Sequence, residues 1–307
     1  MTAGWVAATT RGRALLARSL GDSGARSLSN ASSWPDARVQ LLRTVYGAGL
    51  SPTADRESAR RAARGATAWQ LRVLAGWLPP ASGRLARLAA APFEISNIDH
   101  QVARLHGVDA PDPIPLGSLG VAWPRLAAAG SIEQVRFELA HSAWGDPGGI
   151  ERSMLMLGLR VAWARRVAGA VPSARDWAHG ALASLIAGER FVFGRTINDI
   201  TARELDRLIG RPWRGATTLP ELADRLPPSA NWAIEGITAP SDVWRSEAAI
   251  LHRVGHDAQK AANGGPPTAE TVAAIMALLL VDLWRATAAI EAAGRGPHAT
   301  EVLDAVA

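Results

Sequence analysis

The chain contains no cysteine. That excludes disulfide staples and cysteine-ligated metals and fits a reducing compartment. Lysine is almost as scarce: Lys260 is the only one among 33 basic residues, so nearly every positive charge is an arginine. No Gly-x-x-x-x-Gly-Lys phosphate loop exists, because Lys260 follows no such run and Gly264-Gly265 leads into Pro266-Pro267. Nucleotide hydrolysis by that route is excluded. Long apolar runs are missing too. The longest, Val272 to Val281, is about half a membrane span and is followed at once by Asp282. Met1 to Thr10 lacks the charged start and apolar core of a secretory leader. No stretch alternates apolar and polar residues as a strand does. The expectation is a soluble, all-α chain.

What is present is a recurring capped helix. Ser33 has the character of an N-cap: its hydroxyl can accept a first-turn N–H, Pro35 loses nothing there, and Asp36 can reach back or complement the helix dipole. Gly47 is the expected stop. Ser131-Ile-Glu-Gln134 lies 98 residues on and repeats the logic up to Trp144-Gly145; Arg38, Leu41 and Gly47 fall on Arg136, Leu139 and Gly145. Thr218-Leu-Pro-Glu221 repeats the cap again, with Leu226, Ser229 and, after one inserted residue, Trp232 matching Leu41, Thr44 and Tyr46. Phe191 follows Phe93 at the same offset of 98 as the first two caps, a second and independent landmark. These coincidences predict three helical lobes over 1–107, 121–210 and 214–307, in one continuous body. The Pro- and Gly-rich stretch 108–120 is the expected linker.

Within the lobes, Trp5 to Leu20 reads as a first helix broken by Gly21 to Gly24. A long helix runs from about Thr53, through Trp69, Val73 and Trp77, to Pro79-Pro80. Arg56, Arg60 and Arg64 lie along one ridge of it, facing either solvent or an acidic partner surface or lipid headgroups. Ile95, Ile98, Val102 and Leu105 form an apolar seam on the next helix. Pro227-Pro228 shortens the third capped helix, and Thr268 caps a final long one that ends at Gly294 to Pro297.

No constellation of catalytic residues stands out. His252 and His256 are one helical turn apart beside Asp257, but they lack a third ligand and the intervening glutamate of a zinc-protease motif. Asp199, Glu204 and Asp206 share no helical face with a further acid. His141 with Ser142, and the isolated His100 and His106, offer no nucleophile, base and orienter. Twelve tryptophans fall mostly at helical spacings, as large core residues do. The formal charge of +5 is modest for the length. Arginine with tryptophan also fits a helical nucleic-acid-binding regulator, which would bind with steep salt dependence. A helical metal enzyme around the histidine pair is a third reading.

Leu41-x-x-Thr44-x-Tyr46, the Phe93-Glu94-Ile95-Ser96-Asn97-Ile98 helix, and their recurrence in an all-α chain of this length resemble the central-stalk socket family of V-type and A-type ATPases. The final helix, with Val281-Asp282-Leu283 and Arg285, looks like that family's last repeat of the same element. The resemblance implies a three-lobed helical funnel without catalytic residues or cofactors, in which Leu41, Thr44, Tyr46, Phe93, Glu94 and Asn97 are structural. It implies binding to central-stalk subunits and to the membrane rotor ring, at the cytoplasmic face of the membrane and in support of proton or other ion transport. The chain departs from the family pattern in carrying tryptophan at 144 and 232, in Asp99 and His100, and in Pro227-Pro228.

Overall fold

The computed structural model describes residues 3–295, 303 and 306, and among them only helices and turns occur. In chain order the helices are α1 (Ala3–Leu16), α2 (Gly21–Ser29), α3 (Trp34–Leu41), α4 (Arg56–Ala75), α5 (Gly83–Leu105), α6 (Trp123–Leu126), α7 (Ile132–Ala140), α8 (Arg152–Ala170), α9 (Arg175–Ala187), α10 (Asp199–Ile209), α11 (Leu219–Arg225), α12 (Pro228–Asn231), α13 (Trp244–Gly264) and α14 (Ala269–Ala292). The all-α expectation holds for the described residues.

Side-chain caps set where many of these helices begin. Ser33, Ser131, Thr218 and Thr268 each accept the N–H three residues on, at 3.2–3.3 Å. Gln134 and Glu221 reach back to the N–H of Gly130 (2.9 Å) and Thr217 (2.8 Å). Asp36, one carbon shorter, instead accepts from the Ser32 and Ser33 hydroxyls at 2.6 Å. Both hydroxyls hold its carboxyl below the usual carboxylate range. Asp55 and Asn198 cap α4 and α10 in the same way, through the N–H of Ser58 (2.8 Å) and Thr201 (2.9 Å).

Several expected boundaries move. The first helix stops at Leu16, and the break is one left-handed glycine, Gly21 at φ 66°, which opens α2; Gly24 lies inside that helix. α3 ends at Leu41, so Gly47 is not its stop. Its φ is not positive, and a Cβ there would come within 2.4 Å of the Leu42 Cα. Gly47 is needed because two stretches of backbone pass closely. The stop expected across Gly294 to Pro297 lies partly outside the described residues.

By contact the chain divides into two compact units. One comprises 1–90, 114–119 and 251–307; the other 91–113 and 120–250. The expected boundaries at 107 and 214 do not coincide with these divisions, two of which fall inside α5 and α13 and two in the stretch 108–120. The stretch expected as a linker at 108–120 is not loose throughout: Ile114, Leu116 and Leu119 are buried, and Arg72 and Arg87 donate to the carbonyls of Pro115 and Ser118, both at 3.3 Å.

In the first unit α14 is the central helix, packed on α1, α2 and α4. Its 24 residues are long and apolar enough to cross a membrane, more than the ten-residue run alone suggests, but 56% of its most apolar window is buried against the chain. Val272, Ile275, Leu279 and Ile290 are sealed in this core. In the second unit α8 packs on α9 and α10, with α12 against α9. There Leu182, Ile186, Leu205 and Leu222 form one core, and Ile98, Leu126, Leu139, Trp144 and Leu155 form another.

Candidate functional site

The first two capped helices end in the same hydrogen-bonded turn. After α3, the Thr44 hydroxyl donates to the Leu41 carbonyl at 2.8 Å and accepts the Tyr46 N–H at 3.2 Å. After α7, the Ser142 hydroxyl donates to the Leu139 carbonyl at 2.8 Å and accepts the Trp144 N–H at 3.1 Å. A hydroxyl two residues before the aromatic folds the chain back and drives the ring inward: Tyr46 and Trp144 are both buried. The third copy differs. Ser229 shares a 2.9 Å hydrogen bond with His179 Nδ1, and Trp232 donates through Nε1 to the Ser229 carbonyl. The Trp232 ring lies so close to α9 that a Cβ at Gly180 would fall 2.3 Å from it.

Tyr46 is tied to a carboxylate 236 residues away. Its Oη donates to Asp282 Oδ2. The same carboxylate accepts the Leu20 N–H at 3.0 Å and the Gly21 N–H at 2.7 Å, the first donors of α2. Asp282 is only 3% exposed. One buried charge on α14 therefore fixes both the start of α2 and the end of the α3 turn. Burial first, and then the Asp282 charge and hydrogen bond, push the Tyr46 phenol far above its ordinary value of 10.0, with Thr67 pulling slightly the other way. Above pH 10 the unfolded chain loses this proton while the native chain keeps it, so the unfolded state binds fewer protons and stability falls as pH rises. Alkaline unfolding is expected to begin above about pH 10 and to be blunted in Tyr46→Phe, as read by denaturation midpoints at pH 9 and 11.

Glu94 on α5 does the same work in the second unit. Its Oε1 accepts the N–H groups of Val121 (2.8 Å), Ala122 (2.6 Å) and Trp123 (2.8 Å), and its Oε2 accepts Val121 at 3.0 Å. These donors begin α6, and Glu94 is 1% exposed. Phe93 and Asn97 are buried beside it in sequence. After α9 the polarity is inverted: Arg190 donates to the carbonyls of Trp213 (2.8 Å) and Ala216 (2.6 Å) just before the Thr218 cap. Its guanidinium also lies 5.4 Å from the ring of Phe191, which is half-buried against that core.

The arginine ridge on α4 is half-buried. Arg56 donates to the Ile290 (3.3 Å) and Ala293 (2.5 Å) carbonyls, clamping the end of α14, and sits 5.3 Å from the Trp34 ring. Arg60 pairs with Glu57 and with Glu291, the latter at 2.6 Å. Burial holds the Arg64 guanidinium below its ordinary value. Arg56 and Arg60 thus tie α4 to the end of α14, with Arg64 half-buried one turn further along.

The remaining candidates are engaged locally. The His252 and His256 rings stack 6.4 Å apart, and among the described residues no three His, Asp or Glu side chains converge as metal ligands. Glu204 pairs with Arg207 and Asp206 with Arg214. His106 and His141 bond through Nδ1 to carbonyls four residues back. A cleft of about 130 Å³ is lined by Trp144, Asp146, Arg165, Thr201 and Glu204, but Asp146 is held by Arg136 at 2.9 Å and Arg165 faces Glu204 at 3.8 Å. Sequence spacing gave no hint of the His179–Ser229 pair. Burial keeps that imidazole below its ordinary pKa, and the bond ties α12 to α9. Neither the known protein-family models nor the curated proteins match this chain.

Proposed function

We propose that the chain is a non-catalytic coupling subunit of a rotary V-type or A-type ATPase, seated between the central stalk and the membrane rotor ring at the cytoplasmic face and supporting ion transport. The observation that carries this reading is the repeated clasp. Glu94 and Asp282 occupy matching apolar–acid–apolar triplets, Phe93-Glu94-Ile95 and Val281-Asp282-Leu283, and each seats the first N–H groups of a short helix that leads into a capped helix ending in a buried aromatic. This joins into one element the motifs on which the family resemblance rests. A part that transmits torque needs stiff joints between helices, and buried, charge-assisted clasps supply them. The three-lobed funnel belongs to the same proposal, with Tyr46, Trp144 and Trp232 as equivalent packing residues.

An affinity-tagged chain extracted from native membranes in mild detergent is expected to retain rotor-ring and stalk subunits, identified by mass spectrometry. Recovery of the chain alone, from cells that make the whole complex, would sink the reading.

A further inference from the structure

Between Ser58 and Phe93 the sequence contains six arginines and no acidic residue. Arg60 and Arg64 are half-buried, but Arg61, Arg72, Arg84 and Arg87 are exposed. On α4 the positions 61, 65, 69, 72 and 76 follow one another at steps of four, four, three and four, so Arg61, Trp69 and Arg72 share the solvent face. Trp69 is 51% exposed and Trp77, just past the end of the helix, 52%. Indoles this exposed are costly in water, and other exposed aromatic side chains have a ring or guanidinium beside them: the His141 ring lies 4.2 Å from Phe137, Arg195 4.5 Å from Phe193 and Arg245 5.7 Å from Trp244. Among the described residues Trp69 and Trp77 have no ring, cation–π or indole N–H partner, Arg84 has no hydrogen bond or ion pair, and Arg61 has none beyond the nearby charge of Asp55.

We infer that this face of α4, with the start of α5, docks on an anionic lipid surface. Indoles settle at the boundary between headgroups and acyl chains, and arginines beside them extend to lipid phosphates. Basic side chains over an acid-free stretch give the complementary charge. A nucleic acid fits less well. Base stacking needs aromatic platforms spaced at base steps along a groove, whereas Trp69 stands on the convex surface of a helix and Trp77 lies beyond its end. The inference does not rest on the rotary reading: the isolated chain can bind lipid whether or not it retains ring subunits.

The test uses the full chain with vesicles of phosphatidylcholine alone, and of phosphatidylcholine with about one-third phosphatidylglycerol, read by co-sedimentation and by the blue shift of tryptophan emission. Binding to the anionic vesicles alone, weakening as salt is added, is the expected result. Arg61→Gln with Arg84→Gln should weaken it about 25-fold, at roughly fivefold per arginine. Trp69→Ser with Trp77→Ser should weaken it about tenfold or more. All four side chains are exposed, so circular dichroism should match the parent. The salt titration of the unaltered chain tests the charge dependence without any variant. Equal binding to both vesicles, no binding at low salt, or full binding by both double variants would overturn the inference. So would release from anionic vesicles by duplex DNA at equal phosphate, which would instead favour the nucleic-acid regulator.

Discussion

Asp282→Ala is expected to lower the unfolding free energy by about 3–5 kcal/mol, because it strips the buried Tyr46 hydroxyl and two half-buried N–H groups of their acceptor at once. The Leu20 and Gly21 N–H groups and the Tyr46 hydroxyl all converge on this carboxylate. Removing it strands the buried Tyr46 hydroxyl and opens a cavity on α14. At about 2–4 °C per kcal/mol for a body this large, the melting point should fall by about 6–20 °C. Asp282→Asn retains the shape and one acceptor, and should cost about half as much. Tyr46→Phe alone should cost about 1–2 kcal/mol, since it deletes a donor without stranding the charge. In the Asp282→Ala background the same change should cost far less. A double-mutant cycle by chemical denaturation therefore measures the bond itself, and strictly additive effects would show that the two side chains do not interact.

Glu94→Ala should be of similar size, at about 3–5 kcal/mol, but with a different local signature. Three successive N–H groups lose their acceptor, and α6 is only one turn long, so it has little helical hydrogen bonding of its own to fall back on. Amide exchange at 121–123 should accelerate well beyond what global destabilisation explains, with exchange in α9 following global stability alone. Glu94→Gln keeps one carbonyl oxygen near the donors and should recover much of the loss. Unchanged protection at 121–123 in Glu94→Ala would mean that the carboxylate is not what seats α6.

Features decided by neighbours in the chain were legible in the sequence. The caps at Ser33, Ser131, Thr218 and Thr268 could be placed because a cap and its target are three residues apart. The shortening of α11 by Pro227-Pro228 is equally local. Asp55 was passed over because it lies inside a charged run, where an acid looks like part of a solvated face. The clasps were not legible, because their partners are far apart in sequence. Asp282 registered as the charge that ends an apolar run and as part of the final helix's repeat, but nothing near it names Leu20 or Tyr46. An acid set among apolar neighbours at core spacing was the available signal, and it is present at both Glu94 and Asp282. The arginine ridge is the opposite case: helical spacing puts Arg56, Arg60 and Arg64 on one face, but only the position of α14 decides how much of that face is covered. The apolar residues that make 114–119 part of a core were masked by the prolines and glycines around them.

The place of α14 also has a consequence for synthesis. Its contacts are with α1, α2 and α4, and the Asp282 clasp closes a loop of more than 200 residues. Chains emerge from the ribosome in order, and distant pairings close slowly. The second unit, 91–113 with 120–250, is complete before any of α14 has been made. Until that helix arrives, α1, α2 and α4 carry apolar faces with no central helix to cover them. The nascent first unit is therefore the part of this molecule that most needs shelter from aggregation, and it can close only after its companion has had time to fold.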